Sequence, residues 1–381
     1  MKKDWEYKTL KEACIQLFAG GDVPKPYISK TKTKEFSVPI YSNGVENEGL
    51  YGYTNSAKIK EQAVTISARG TIGATFRRYE PFFPAIRLIT AVPNKEILSI
   101  DYLFYALKIL TIGNSGTSIP QLTIPNIKNI SIPIPPLPEQ KEIVEYLDSS
   151  FAKIDKLKEN AAKNLEEAKA LFQSALKDAL EPKEGWEEKT LGEVAKICGG
   201  KRLPKGCKLQ SEPTNHKYIR VADFLDNGTV CKDEIQYITD DIFNQIKRYT
   251  ISSDDVYISI AGTIGKSGIV PDELNGANLT ENACKLVLNK EQDKRFIYFV
   301  TISPFFKEQI NILTKKSAQP KLALTRLATV NVPIPPLSEQ QSIVSFLDSL
   351  NEKVNTLQQN YSRICDECDA LKQAILRQVF E

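Results

Sequence analysis

Pro133-Ile134-Pro135-Pro136-Leu137-Pro138-Glu139-Gln140 recurs 200 residues later as Pro333-Ile334-Pro335-Pro336-Leu337-Ser338-Glu339-Gln340. Prolines 133, 135 and 136 deny the segment a helix interior and stop whatever precedes it. A helix can begin only afterwards, with Pro138 or Ser338 near its first turn and Glu and Gln just inside. Downstream, apolar residues step by three and four. The first copy runs Ile143, Leu147, Ile154, Leu157, Ala161, Ala168, Leu171 and Ala175. The second runs Ile343, Leu347, Leu350, Val354, Leu357, Tyr361, Ile364, Cys368, Leu371 and Ile375. Such spacing predicts a coiled-coil seam on both helices. A helix of about 40 residues is about 60 Å long.

Outward from these helices the chain is written twice. Trp5-Glu6-Tyr7-Lys8-Thr9-Leu10 returns as Trp186-Glu187-Glu188-Lys189-Thr190-Leu191. Ile66-Ser67-Ala68-Arg69-Gly70-Thr71-Ile72-Gly73 returns as Ile258-Ser259-Ile260-Ala261-Gly262-Thr263-Ile264-Gly265. Between the anchors lie short β-forming runs punctuated by Gly and Asn, such as Val38–Gly44 and Lys217–Val221. The predicted fold is therefore α+β. Two mixed α/β domains, 1–136 and 183–336, are separated by two long helices, 137–182 and 337–381. In the order domain, helix, domain, helix, the second helix can pair with the first only by returning, so the pair is antiparallel. The alternative is two independent amphipathic helices, each on its own domain. A repeat that keeps its scaffold and varies its inserts suggests one kind of job on two targets.

The composition is that of a globular protein, with 41% hydrophobic and 25% charged residues. No apolar run approaches the roughly 18 residues that span a bilayer. Met1-Lys2-Lys3-Asp4-Trp5 has no apolar stretch after its lysines, so we expect no signal peptide and a cytoplasmic location. Seven scattered cysteines make a disulfide framework unexpected, and the lone Cys365-Asp366-Glu367-Cys368 lacks the second pair that a structural zinc needs. The single histidine, His216, argues against histidine-based catalysis. Net charge is +6 over 1–136, −3 over 137–182, +3 over 183–336 and −3 over 337–381. A polyanion is drawn to the domains, which leaves the helices for protein partners.

Candidate DNA contacts follow from side-chain chemistry: Arg, Lys, Asn and Gln read base edges or hold phosphates. In the first domain they are Lys32, Lys34, Ser42, Asn43, Arg69, Thr71, Arg77, Arg78, Ser118 and Gln121. In the second they are Lys201, Arg202, Lys205, Arg220, Asp223, Lys266, Ser267, Lys316, Gln319 and Lys321. For each, a solvated surface position is the plainer alternative. Gly262-Thr263-Ile264-Gly265-Lys266-Ser267 ends like a phosphate-binding loop, but the required earlier Gly is Ile260, and the first copy has no Lys. The repeated Gly-Thr-Ile-Gly is better read as a turn between strands. No zinc-protease motif, nucleophile elbow, dinucleotide fingerprint or metal-ligand set is present in the sequence.

Taken together, the duplicated Pro-Ile-Pro-Pro-Leu-x-Glu-Gln, Ile-Ser-x-x-Gly-Thr-Ile-Gly and Trp-Glu-x-Lys-Thr-Leu segments resemble the specificity subunits of type I restriction-modification enzymes. Tyr218-Ile219-Arg220-Val221-Ala222-Asp223 and Asn278-Leu279-Thr280-Glu281-Asn282 add to the likeness, and the first domain lacks both of these patterns. The resemblance covers essentially the whole chain. It implies two target recognition domains, each reading half of a bipartite, asymmetric site in double-stranded DNA, with the helices setting the gap. It also implies two modification subunits that methylate adenine N6 using S-adenosylmethionine, and restriction subunits using ATP and Mg. This chain itself would hold no cofactor and no catalytic site. Three alternatives stay open: a specificity subunit of a type IIB-like system, a coiled-coil scaffold that binds proteins, and an enzyme with an unfamiliar site.

Overall fold

The computed structural model describes residues 5–112, 122–314 and 321–380. The chain forms two compact units. One is Met1–Ala161 with Ser362–Glu381; the other is Ala162–Tyr361.

The first unit holds a four-stranded antiparallel sheet in the order Cys14–Ala19, Ile89–Pro93, Ala63–Ile66, Thr75–Arg78. The two central strands are buried along their whole length. They accordingly read as continuous short apolar and threonine runs rather than as alternation. The helix Ile100–Ile112 packs over this sheet. A three-stranded sheet, Leu50–Thr54, Val38–Tyr41, Phe83–Pro84, lies beside it, with its last pair parallel.

The second unit repeats this plan. Its four-stranded sheet runs Ala195–Gly199, Ala283–Leu288, Val256–Ser259, Ser267–Ile269. Its three-stranded sheet runs Gln236–Ile238, His216–Ile219, Asn278–Leu279. The helix Lys294–Ile302 takes the place of Ile100–Ile112.

Each unit is closed by a two-stranded ribbon made from two of the repeated sequence anchors. Glu6–Thr9 pairs with Ser131–Ile134, and Glu187–Thr190 pairs with Asn331–Ile334, in the same register. A proline sits opposite Tyr7 and opposite Glu188, which two-stranded edges tolerate. The ribbon runs into one turn of helix whose first N–H groups need partners. The backbone N–H of Thr9 donates to Glu12 Oε2 at 2.8 Å, and that of Thr190 to Glu193 Oε2 at 2.7 Å. The Thr9 and Thr190 hydroxyls donate to the same carboxylates (2.6 and 2.7 Å), and these bonds, with the backbone ones second, lower the pKa of both glutamates.

The last residue of the proline segment anchors the long helices Leu137–Ala179 and Leu337–Phe380. The Gln140 side chain is fully buried and donates to Pro135 O (2.8 Å) and Ile97 O (2.7 Å) while accepting from Ser99 N (2.9 Å). Gln340 donates to Pro335 O (2.9 Å) and accepts from Asp293 N (2.9 Å). A carboxamide supplies two donor hydrogens and an acceptor oxygen at once, the set that Gln140 uses here. It fixes the long helix to the start of the helix that covers the sheet.

In the first unit, Ile143, Val144, Leu147 and Phe151 near the start of one long helix share a core with Leu376 and Phe380 at the end of the other. In the second unit, Phe172, Leu176 and Leu180 at the end of the first helix join Ile343 and Leu347 at the start of the second. Start meets end in both units, so the pairing is antiparallel.

The seam needs correction. Ile143, Leu147, Ile154, Ile343 and Leu347 are buried, and Val354 and Ile364 are half-buried. Leu157, Leu171, Leu357 and Leu371 are exposed. In the first helix the inward positions are instead Phe151, Ile154, Lys158, Ala161, Leu165, Ala168 and Phe172, an unbroken four-three alternation. Lysine takes seam positions 158 and 372. Lys158 Nζ lies 2.9 Å from Asp369, and Lys372 pairs with Asp155 while its ammonium sits 5.2 Å above the Phe151 ring. A lysine stem covers apolar surface while its head reaches a carboxylate, so the seam need not follow the leucines.

Candidate nucleic-acid interface

In the second unit the Gly-Thr-Ile-Gly segment is a hairpin loop between Val256–Ser259 and Ser267–Ile269. Ser259 N donates to Lys266 O (2.8 Å), and Gly265 N returns to Ser259 O (2.9 Å). Gly262 and Gly265 have φ of 76° and 85°, a conformation that favours glycine. Leu322 N donates to Ile260 O (2.8 Å), and Ile260 N to Asn282 O (2.8 Å), so three separate segments meet at the hairpin. A fourth arrives through Gly200 N, which donates to Ala283 O (3.0 Å). A Cβ at Gly200 would collide with the Thr280 carbonyl, so only glycine permits this approach. Four candidates are thereby gathered on the same unit: Lys201, Arg202, Lys205 and Lys321, all exposed. Arg202 Nε lies 2.6 Å from Glu281 Oε1. Burial raises the Glu281 pKa, but the bonds from Arg202, its own backbone N–H and Thr280 outweigh it, and the carboxyl stays ionised.

The first unit builds the same junction with other side chains. Ser67 N donates to Ala74 O (2.8 Å), Gly73 N to Ser67 O (2.9 Å) and Leu122 N to Ala68 O (3.0 Å). Asn43 bridges the junction, donating to Ile86 O (2.6 Å) and accepting from Ala68 N (2.7 Å). Its amide thus holds loops together. Arg69 and Thr71 are exposed at the hairpin tip, and Ser42 is half-buried nearby. The turns expected at both Gly-Thr-Ile-Gly segments are observed.

Other candidates are engaged inside their units. Arg78 is buried, stacks on Tyr41 at 3.5 Å and donates to Thr65 Oγ1 (3.1 Å) and Glu48 (3.0 Å). Burial outweighs these attractions and lowers its pKa. Arg77 lies 2.9 Å from Asp101 and 3.3 Å from Asp148 of the long helix. Its guanidinium lies 4.1 Å above the Phe104 ring. Arg220 grips the buried Asp223, which also accepts from Arg220 N at 2.7 Å. Lys266 pairs with Asp226 at 2.7 Å, and Ser267 is buried against Thr301 Oγ1 at 2.8 Å. Lys32 and Lys34 are exposed and make no ion pair with a described residue. Ser118, Gln121, Lys316 and Gln319 lie outside the described residues.

One position escaped the sequence search. Arg87 is exposed on the first unit, and neither repeat pattern points to it. The signal that finds it is spatial: its N–H donates to the carbonyl of Gly20 (2.9 Å), the glycine that corresponds to Gly200. Among the described residues no cluster of three His, Cys, Asp or Glu could hold a metal. Cys14 and Cys284 are buried, and burial pushes each thiol up to about 12. The junctions thus offer cations, amides and backbone N–H groups, the inventory for binding phosphates and base edges.

A family model described as the type I restriction modification DNA specificity domain matches residues 2–167 and again residues 183–364. The chain belongs to this family and carries its domain twice. A putative type I specificity subunit of Mycoplasma pneumoniae is 35% identical over 165 residues, 43% of this chain and 49% of that protein. This chain therefore spans about half of that relative. The specificity subunit of the Escherichia coli type I restriction enzyme EcoBI is 23% identical over 89% of this chain and 76% of its own length. A chain solved in work on complex assembly and conformational transition of the type I R-M system has a TM-score of 0.76 at 18% identity, covering 98% of this chain and 97% of its own. That likeness is one of fold. Among the described residues no helix is long and apolar enough to cross a membrane.

Proposed function

We propose that this chain is the sequence-reading subunit of a type I restriction-modification complex, each domain reading one half of a bipartite, asymmetric site in double-stranded DNA. The observation that carries the proposal is the pair of junctions: the same ladders and glycine approach in both units, finished with different polar side chains. A scaffold held constant under a varied surface is what two independent readers require. The antiparallel helices set the gap, in keeping with half-sites about 34 Å, one helical turn, apart.

The chemistry belongs to partners. Two modification subunits using S-adenosylmethionine methylate adenine N6, and restriction subunits using ATP and Mg join them. Flipping the target adenine out of the stack leaves distorted DNA for the readers to hold. The exposed apolar side chains of the long helices support two copies of one partner. The first unit exposes Tyr146, Leu157 and Leu371, and the second exposes their counterparts Phe346, Leu357 and Leu171.

The test is methylome sequencing of a host expressing this chain with its methyltransferase subunit, against a host lacking only this chain. A split motif with one methyladenine in each half, lost with the chain, is the expected result. Methylation whose motif is indifferent to this chain would return the scaffold reading.

A further inference from the structure

Backbone hydrogen bonds on either side of the two junctions align them where the sequences do not, although the left-handed turn at Ile86 and Arg87 is found in the first unit and not at Glu281 and Asn282. Gly20 N donates to Leu88 O at 2.8 Å as Gly200 N does to Ala283 O at 3.0 Å. Ala85 N donates to Tyr41 O at 2.9 Å as Thr280 N does to Ile219 O at 3.1 Å. Ala19 faces Ile89 as Gly199 faces Cys284. All three correspondences put Arg87 in the place of Asn282. The segment Pro84-Ala85-Ile86-Arg87 thus stands where Leu279-Thr280-Glu281-Asn282 stands, although no residue is shared.

Both side chains are unspent. Arg87 is exposed and has no ion pair with a described residue, while Arg77 and Arg78 are engaged. The Asn282 side chain has no hydrogen bond to a described residue; only its carbonyl is used, by Ile260 N (2.8 Å) and Ala261 N (3.3 Å). Arg87 is also held in an unfavourable conformation. Ile86 and Arg87 have φ of 52° and 61°, a left-handed pair that side chains rarely adopt. Such backbone strain costs of order 1–3 kcal/mol per residue and concentrates at functional sites. Here it is enforced from three sides, by Gly20 O, by Gly21 O at 2.7 Å from Ile86 N, and by Asn43 on Ile86 O. A Cβ on Gly20 would lie 2.6 Å from Pro84 O, so this close approach also requires glycine.

We propose that Arg87 and Asn282 are equivalent base-reading positions, Arg87 donating to a guanine in one half-site and Asn282 pairing with an adenine in the other. The pairings follow from chemistry: a guanidinium fork matches guanine O6 and N7, and a carboxamide matches adenine N6 and N7. The proposal rests on the half-site reading given above.

The experiment is the methylome of the complex carrying Arg87→Asn, with Asn282→Ala and Arg87→Ala as companions. Asn tolerates the left-handed region better than Arg does, so Arg87→Asn preserves the fold; the variant's melting temperature checks this. The expected result is a split motif altered at one base pair of one half, G giving way to A, with the other half intact. Arg87→Ala should lower discrimination at that base pair by about 10- to 100-fold. Asn282→Ala should relax one position of the opposite half only. An unaltered motif in a folded, active Arg87→Asn complex overturns the proposal and leaves the half-site reading standing. A change in both halves overturns the independence of the readers as well, and methylation independent of this chain removes the reading itself.

Discussion

Asp148 and Asp348 directly follow the fully buried Leu147 and Leu347 in the two long helices, and the two units neutralise them from different directions. In the second unit, Arg295 of the helix Lys294–Ile302 takes Asp348 through two nitrogens. In the first unit that helix position is Asp101, also an acid, and the cation comes from Arg77 on the strand Thr75–Arg78. Burial works against the Arg77 charge, but Asp101 and Asp148 outweigh it and raise its pKa. Tyr105 O–H also donates to Asp148. Ile269 occupies the strand position that Arg77 occupies. The constraint is a neutralised carboxylate between reader and helix, and the residue that meets it is free to move between elements. This is why reading the repeat residue by residue underestimates how alike the units are.

The comparison can be broken at three strengths. The largest effect belongs to the glutamines that both units share. Gln140→Glu or Gln340→Glu sets a carboxylate against carbonyl oxygens in a dry site, and each should destabilise its unit by about 3–5 kcal/mol in urea unfolding at pH 7. If either substitution is tolerated, the two anchors are not equivalent.

Next comes the seam. Phe172→Ala empties a buried site and should cost about 3 kcal/mol or more. Leu171→Ala, at a side chain 65% exposed, should stay within about 0.5 kcal/mol. Equal losses at both positions would restore the leucine seam.

The smallest effect tests the carboxylate clasp. Asp101→Arg alone crowds Arg77 with a second cation and should cost about 1–2 kcal/mol. Adding Arg77→Ile copies the arrangement of the second unit and should recover most of that loss, a non-additivity that a double-mutant cycle reads directly. Additive losses would show that the two clasps are unrelated.

Much of this architecture was legible. The doubled anchors announced two like domains, and the prolines with the apolar spacing announced two long helices. The antiparallel pairing followed from chain order. The glycines of Gly-Thr-Ile-Gly signalled a turn, and positive φ at Gly70, Gly73, Gly262 and Gly265 supplies the reason. The candidate surface was less legible. Cationic residue type selected Arg78, Arg220 and Lys266, whose charges are met inside their own units. It passed over Arg87, which sits in no basic cluster and no repeat.

The sequence alone determined the duplication and the order of elements, because period, proline and glycine act locally on the backbone. Only the tertiary structure decided which helix face is the seam. A lysine can face inward when a carboxylate on the other helix lies within reach, as Asp369 does for Lys158, and no single-helix pattern contains that partner. It alone also decided that Arg87 answers to Asn282. Backbone hydrogen bonds between segments far apart in the chain set that equivalence, and they leave no trace in the identity of the side chains they align.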